Sequence, residues 1–309
     1  MKFSLHLPMY QAEFLEASAI KAMAQAAERA GMDACALTDH PAPTAEWRRN
    51  GGHDAFDPFA ALAFIASATT RIRLHTHILV VPYRNPFLAA KSAATVDVLS
   101  EGRLILGLGS GYQRGEYAAL GVDFASRGAA MDETLQVMKM AWSGEPVTYQ
   151  GRNFKAEGNQ PRPLPVQKPH PPLWGGGNAD PAIRRAAELC DGWSPFFATP
   201  ALAQKAATKE LVTIDDLRVG IGLLRQHLER VGRVRPFDIC AGLPEPDRPK
   251  DCTRADAQRI VDLGGQMAEM GVNWMLTSLP SRSITGFIES IQWFSEEVRP
   301  KLKDVQPAH

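Results

Sequence analysis

Little in this 309-residue chain pulls it toward a polymer, a membrane or a metal cluster. Its 34 lysines and arginines are matched by 34 aspartates and glutamates, so no bulk charge favours nucleic acid or an anionic surface. It has no apolar run of the roughly 18 residues that a bilayer span requires. The opening stretch MKFSLHLPMYQAEF lacks the apolar core and small-residue cleavage site of a secretory signal, so a cytoplasmic protein is expected. Cys35, Cys190, Cys240 and Cys252 stand far apart without a C-x-x-C pair, which argues against a zinc ribbon or a disulfide framework and for buried free thiols. Nor does the first β-α turn, HLPMYQAEF, contain any glycine, so the G-x-G-x-x-G of a dinucleotide fold is missing where it should stand.

What the chain does have is alternation. Short β-rich runs are each followed by a longer amphipathic segment. KFSLHL leads into a helix near Glu16 to Ala30, and DACALTD precedes DPFAALAFIASATT, with Asp57 as N-cap and Pro58 in the first turn. RIRLHTHILV, RLILGLG, PLWGG, GWSPFF, FDICAGL and VNWMLTSL read as the remaining strands. Helices are expected from about Asn85, from Gly128 to Ser143, from Asp180, over TIDDLRVGIGLLRQHLERVG, from Ala255 to Met270, and over SITGFIESIQWFSEEVR. The proline-rich stretch EPVTYQGRNFKAEGNQPRPLPVQKPHPP breaks the rhythm, and VTYQGRNFKAE in it suits a small hairpin. Eight β-α units without a linker predict a single (β/α)8 TIM barrel over residues 1–309, with a small insertion before strand five and a doubly wound sheet as the alternative.

In such a barrel chemistry belongs to the C-terminal ends of the strands. Strand two ends LTDHPAP, which puts Asp39 and His40 at the rim with Pro41 holding His40 extended; acid/base work and a plain cap are both open. His75 and His77 share one face of strand three. The later strand ends supply no third histidine or bridging lysine, so no metal is expected. Gly107, Gly109 and Gly111 alternate along strand four, either to open the mouth to a flat ligand or to allow tight packing. Gly175, Gly176 and Gly177 precede a helix N-terminus, where backbone donors together with Asn178 suit a phosphate. A plain glycine turn is the alternative, and no Walker loop is formed because no Gly-Lys-Ser/Thr follows.

Taken together, KFSLHLP, TDH, LHTHILVVPYRNP running into FLAAKSAATVDVLSEGRLILGLGSGY, RGAAMDETLQVMKMAW and PPLWGGGNADPAIRRAAELCDGW resemble the luciferase-like monooxygenase superfamily, in its branch using the deazaflavin coenzyme F420. The resemblance covers nearly the whole barrel. It implies an oxidoreductase moving a hydride between F420 and a small organic substrate, with an FMN-dependent monooxygenase or a non-catalytic flavin-binding barrel as alternatives. It also implies a cis peptide at His77-Ile78 behind the ring, with Thr76, His77 and Ile78 lining it and Asp39 and His40 beside it. The phosphate would lie on Gly175 to Gly177, and the chain would form a homodimer through outer helices. His40 would exchange the proton that accompanies hydride transfer, oriented by Asp39. One departure stands out: where sugar-phosphate dehydrogenases of this branch carry a glutamate, this chain has Tyr112, while Glu116 follows four residues on.

Overall fold

The computed structural model describes residues 1–307. Eight parallel strands close on themselves, with β1 (Lys2–His6) paired to β2 (Ala34–Leu37), β2 to β3 (Arg73–Val80) and β3 to β4 (Leu104–Gly109). After a separate antiparallel hairpin, β5 (Val147–Gln150) with β6 (Lys155–Asn159), the barrel resumes with β7 (Leu173–Gly176), β8 (Gly192–Ser194), β9 (Asp238–Ala241) and β10 (Trp274–Thr277). Pairing of β10 with β1 closes the ring. The (β/α)8 reading therefore holds, and the proline-rich insertion forms the expected hairpin.

The helices are α1 (Ala17–Arg29), α2 (Ala45–Arg49), α3 (Pro58–Ala68), α4 (Pro86–Leu99), α5 (Arg114–Ala119), α6 (Arg127–Trp142), α7 (Asp180–Leu189), α8 (Pro200–Ala206), α9 (Ile214–Arg230), α10 (Arg254–Glu269), α11 (Ile284–Glu297) and α12 (Arg299–Leu302). Local chemistry sets many of their starts. Asp57, Asn85 and Thr199 each cap a helix whose first turn holds a proline, and Thr213 with Asp216 and Thr253 with Asp256 form capping boxes. Such a cap contributes about 1 kcal/mol.

Helices α2, α5 and α8 are additions to the expected set, each five to seven residues long and set in the loops at the strands' C-terminal ends. Strand six is shorter than expected, because the chain leaves the barrel at Pro195, which has no N–H for the ladder. None of the described helices is long and apolar enough to cross a membrane. Cys35, Cys190 and Cys240 are buried free thiols, with burial pushing the first two up to about 12; Cys252 departs from the expectation in being only partly buried.

Most of the core lies between the strands and the helices around them. Inside the barrel Ala34, Ile105, Trp174, Cys240 and Trp274 form one packed layer. Above it, nearer the strands' C-terminal ends, the interior turns polar.

Candidate active site at the C-terminal mouth

The feature that shapes the mouth is a bulge in β3. Pairing with β4 runs regularly through Thr76, then shifts before Leu79, and the peptide between His77 and Ile78 is cis. Thr76 Oγ1 donates to the carbonyl of Gly107 at 2.8 Å. Three glycines accommodate the distortion. A Cβ on Gly107 would run into the Thr76 carbonyl oxygen, one on Gly109 would lie 2.8 Å from Ile78 Cγ2, and one on Gly176 would run into Ile78 Cδ1. Gly107 and Gly109 were expected either to clear space for a ligand or to permit tight packing; the packing reading is the one realised, since the space is filled by strand three itself.

Below the bulge three imidazoles gather inside the barrel. The His75 ring lies 5.4 Å from that of His77, which lies 6.5 Å from His6. Burial, the largest cause, pushes His6 down to about 3 and His77 to about 4 and holds His75 well below its ordinary value, so all three are neutral near pH 7. Ser4 Oγ pairs with His75 Nδ1 at 2.9 Å, while His75 Nε2 and His77 Nε2 are buried without a protein partner.

Asp39 and His40 are adjacent in sequence but serve separate networks. Asp39 is buried and accepts hydrogen bonds from both terminal nitrogens of Arg84, at 2.6 and 3.0 Å, and from the Val80 N–H at 2.9 Å. This fork ties the end of β2 to the chain leaving β3, so Asp39 is not the group that orients His40. That role falls to α5 and the turn before it: Gln113 Nε2 donates to His40 Nδ1 at 2.9 Å, and Glu116 Oε1 stands 3.6 Å from the same nitrogen. Glu116 is itself buried and fixed, accepting from Tyr83 Oη at 2.9 Å and Ala42 N at 3.3 Å. Both contacts hold the Nδ1 edge of the His40 ring, and Nε2 has no hydrogen-bond partner among the described residues.

Around His40 stands an aromatic wall that no motif announced. Trp47, on α2, lies 4.5 Å from the His40 ring, His53 lies 5.2 Å away and Tyr112 6.3 Å. Trp47 and His53 are themselves 5.5 Å apart.

The glycine turn is bound up with protein. Gly175 faces Ala186 and Cys190 on the α7 side, and Gly177 adopts φ +108°, a conformation that favours glycine. Asn178 has its polar groups engaged: its N–H donates to Thr208 Oγ1, its amide nitrogen to the carbonyls of Phe196 and Lys209, and its Oδ1 accepts from Phe196 N. Rather than reaching for a phosphate, Asn178 clamps the loop after β8 onto the end of β7. The first turn of α7 also already contains a carboxylate, Asp180, which His227 Nε2 meets at 2.8 Å. Expected contact with a phosphate therefore contracts to Gly177 and the adjoining Thr208 hydroxyl.

A planar, polar ring suits this mouth. The bulge at Ile78 makes a raised shelf flanked by Gly109 and Gly176, and the unpartnered His77 Nε2 beneath it can take part in a hydrogen bond.

Comparison with known proteins bears on the family and the fold. The family model described as luciferase-like monooxygenase matches residues 1–222. An F420-dependent glucose-6-phosphate dehydrogenase of Mycobacterium avium is 34% identical over 294 residues, covering 88% of this chain and 84% of that protein. Among solved structures, the monooxygenase RslO1 of Streptomyces bottropensis superposes with TM-score 0.76 at 17% identity, over 97% of this chain and 99% of that one. The coenzyme F420-dependent tetrahydromethanopterin reductase of Methanopyrus kandleri does so with TM-score 0.74 at 17% identity and the same coverage.

Proposed function

The chain belongs to the luciferase-like monooxygenase family, and from that premise we propose that it is an oxidoreductase using coenzyme F420 to exchange a hydride with a small organic substrate at the barrel mouth. The observation that carries this reading is His40, just past the end of β2, largely enclosed and held at Nδ1 by Gln113 and Glu116, with its Nε2 edge free of both. Such an imidazole can exchange a proton with a substrate oxygen. The relative named for F420-dependent sugar-phosphate oxidation supports the choice of cofactor.

Thr76, His77 and Ile78 would back the deazaflavin ring, and Gly177 with Thr208 would meet its phosphate. When bound, the cofactor supplies a ring carbon that gives or takes hydride. The protein's part is to seat that ring on the Ile78 shelf, wall the space above it with Trp47 and Tyr112, and hold the proton on His40. Pairing of two chains through α3 and α4 completes the reading, since Phe64, Leu88 and Leu99 are exposed there at 42%, 68% and 62%.

Titration of oxidised F420 with the purified protein, read as fluorescence quenching, tests the proposal directly. Saturable quenching that excess FMN does not reverse is expected. Displacement by FMN, with oxygen reoxidising the bound reduced cofactor, would instead make the protein a flavin monooxygenase, and quenching without turnover on any alcohol or carbonyl compound would leave a binding protein.

A further inference from the structure

The opposite end of the barrel carries a local charge that the whole chain does not. Where β1, β3 and β10 begin, a cleft of about 450 Å³ opens against the end of α1. Lys2, Arg29, Arg71 and Arg73 line it against two carboxylates, Glu28 and Asp33, in a protein whose 34 cations equal its 34 anions. Both carboxylates are committed to the fold. Glu28 Oε1 accepts from the N–H groups of Thr70, Arg71 and Ile72, and Asp33 Oδ2 accepts from the Phe3 N–H at 2.9 Å. The cations are not so committed: none of the four belongs to an ion pair among the described residues. Arg73 donates only to neutral oxygens, the Leu104 carbonyl at 3.2 Å and Gln167 Oε1 at 2.8 Å, while Asp238 and Asp97 act on it from beyond ion-pairing distance.

The rest of the lining is apolar, with one donor left over. Met32, Ile72 and Trp274 are buried in its wall. Trp274 belongs to the packed layer inside the barrel, 5.0 Å from the Trp174 ring, and Lys2 Nζ lies 5.0 Å from its own ring centroid. Its Nε1–H is buried without a hydrogen-bond partner among the described residues. A buried donor is seldom left unmet, because burial without a partner costs the full desolvation of the group. Beside four unpaired cations, the acceptor that suits it is an anionic oxygen.

We propose that this cleft is a second ligand site, separate from the mouth, and that it takes a phosphate monoester with an apolar or planar body. Four cations against two carboxylates leave a surplus that a dianion balances. Guanidinium groups present paired donors at the spacing of phosphate oxygens, and the Trp274 N–H adds a neutral one. Met32, Ile72 and the Trp274 edge cover the body of the ester, and the volume falls within the roughly 300–1,000 Å³ of small-molecule sites. None of these residues belongs to the set assigned to hydride exchange, so the site stands whether or not that reading does.

The test uses the whole protein with 15N-labelled tryptophan and phenyl phosphate as the probe. Trp274→Phe identifies the Trp274 indole signal, and calorimetry reads the same affinities without that assignment. Phenyl phosphate should move the signal downfield and saturate. Arg71→Gln and Lys2→Gln should each weaken binding about tenfold or more, the worth of one hydrogen bond to a charged group. Arg71 is exposed and Arg71→Gln keeps its backbone contact to Glu28, so the variant should unfold in urea as the parent does. Arg230→Gln removes an exposed cation outside the cleft and should change nothing. Orthophosphate, which lacks the body, should bind about tenfold more weakly than phenyl phosphate, and phenol should not move the signal. A Trp274 signal indifferent to phenyl phosphate overturns the proposal, as does a loss from Arg230→Gln equal to that from Arg71→Gln. Equal binding of orthophosphate overturns the ester assignment. Saturating F420 should leave the titration unchanged; if it abolishes binding, the probe sits at the mouth and the second site falls.

Discussion

Two groups of histidines occupy this barrel, and they differ in nearly everything but residue type. His6, His75 and His77 sit inside the strands' cylinder, where burial keeps them uncharged and leaves the Nε2 of His75 and His77 without a partner. His40 and His53 stand within the loop after β2, each with one nitrogen fixed by a neighbour and the other reaching the mouth. The interior set has no low-cost charged state; each ring of the rim set has one nitrogen held by a neighbour and the other open. An imidazole becomes useful for proton exchange when one nitrogen is anchored and the other is left wet, and the loops provide that where the strands do not.

The largest effect should come from disturbing what separates the two groups. Asp39 is 3% exposed, and Arg84 is the side chain that forks onto it. Arg84→Met would leave a buried carboxylate with only the Val80 N–H, at a cost of about 3–5 kcal/mol in urea unfolding. Asp39→Asn in the same chain should recover much of that loss, because the uncompensated charge goes with it. Additive losses would mean that Asp39 and Arg84 do not act as a pair.

Acid should distinguish the groups next. His6 and His77 have folded pKa values of about 3 and 4, below the ordinary 6.5, so the unfolded chain binds more protons between these limits. Their effect on stability is absent above about pH 6.5, where both states are neutral. Stability then falls as pH drops through 6.5 and levels off only below the folded values. For His77 alone the full loss is roughly 3 kcal/mol. Chemical denaturation at a series of pH values should show this slope, and His77→Asn should reduce it.

His40→Ala addresses the rim group. Turnover should drop about 100-fold or more at saturating cofactor, while deazaflavin quenching stays near the parent's. If saturating cofactor restored the parent rate, His40 would be a cofactor contact rather than a proton carrier.

How much of this could be read from the chain follows the same division. The alternation of strands and helices, the Asp57-Pro58 start of α3 and the hairpin were legible, because each depends on residues adjacent in sequence. The partners of Asp39 and His40 were not, since they come from 45 and 73 residues away. Adjacency suggested that Asp39 serves His40; instead the two point into different loops. A signal was available all the same. Strands β2, β3 and β4 are neighbours in the closed ring, so the loops after them must meet, and those loops carry Asp39 with His40, Arg84, and Gln113 with Glu116. His53 and Trp47 were harder to find, because nothing in a loop's spacing fixes which of its side chains turn inward.

The smallest effect tests a residue that was assigned to the rim but belongs to the packing beneath it. Gly176 reads in sequence as part of a phosphate turn, yet a Cβ there would meet Ile78 Cδ1, with the carbonyl of Leu108 3.3 Å away. Gly176→Ala should therefore cost about 1–3 kcal/mol through overpacking. The flexible end of Ile78 is the main obstacle, so Ile78→Ala should relieve most of the cost in the double variant even though it removes buried surface by itself. A phosphate contact predicts another pattern: weakened cofactor binding in Gly176→Ala with little change in stability. Thermal unfolding of the three variants, with deazaflavin quenching read on Gly176→Ala alone because Ile78 is assigned to the ring, separates the two: the first responds to the crowding of Ile78 and the second to what approaches the backbone of Gly176 from the mouth.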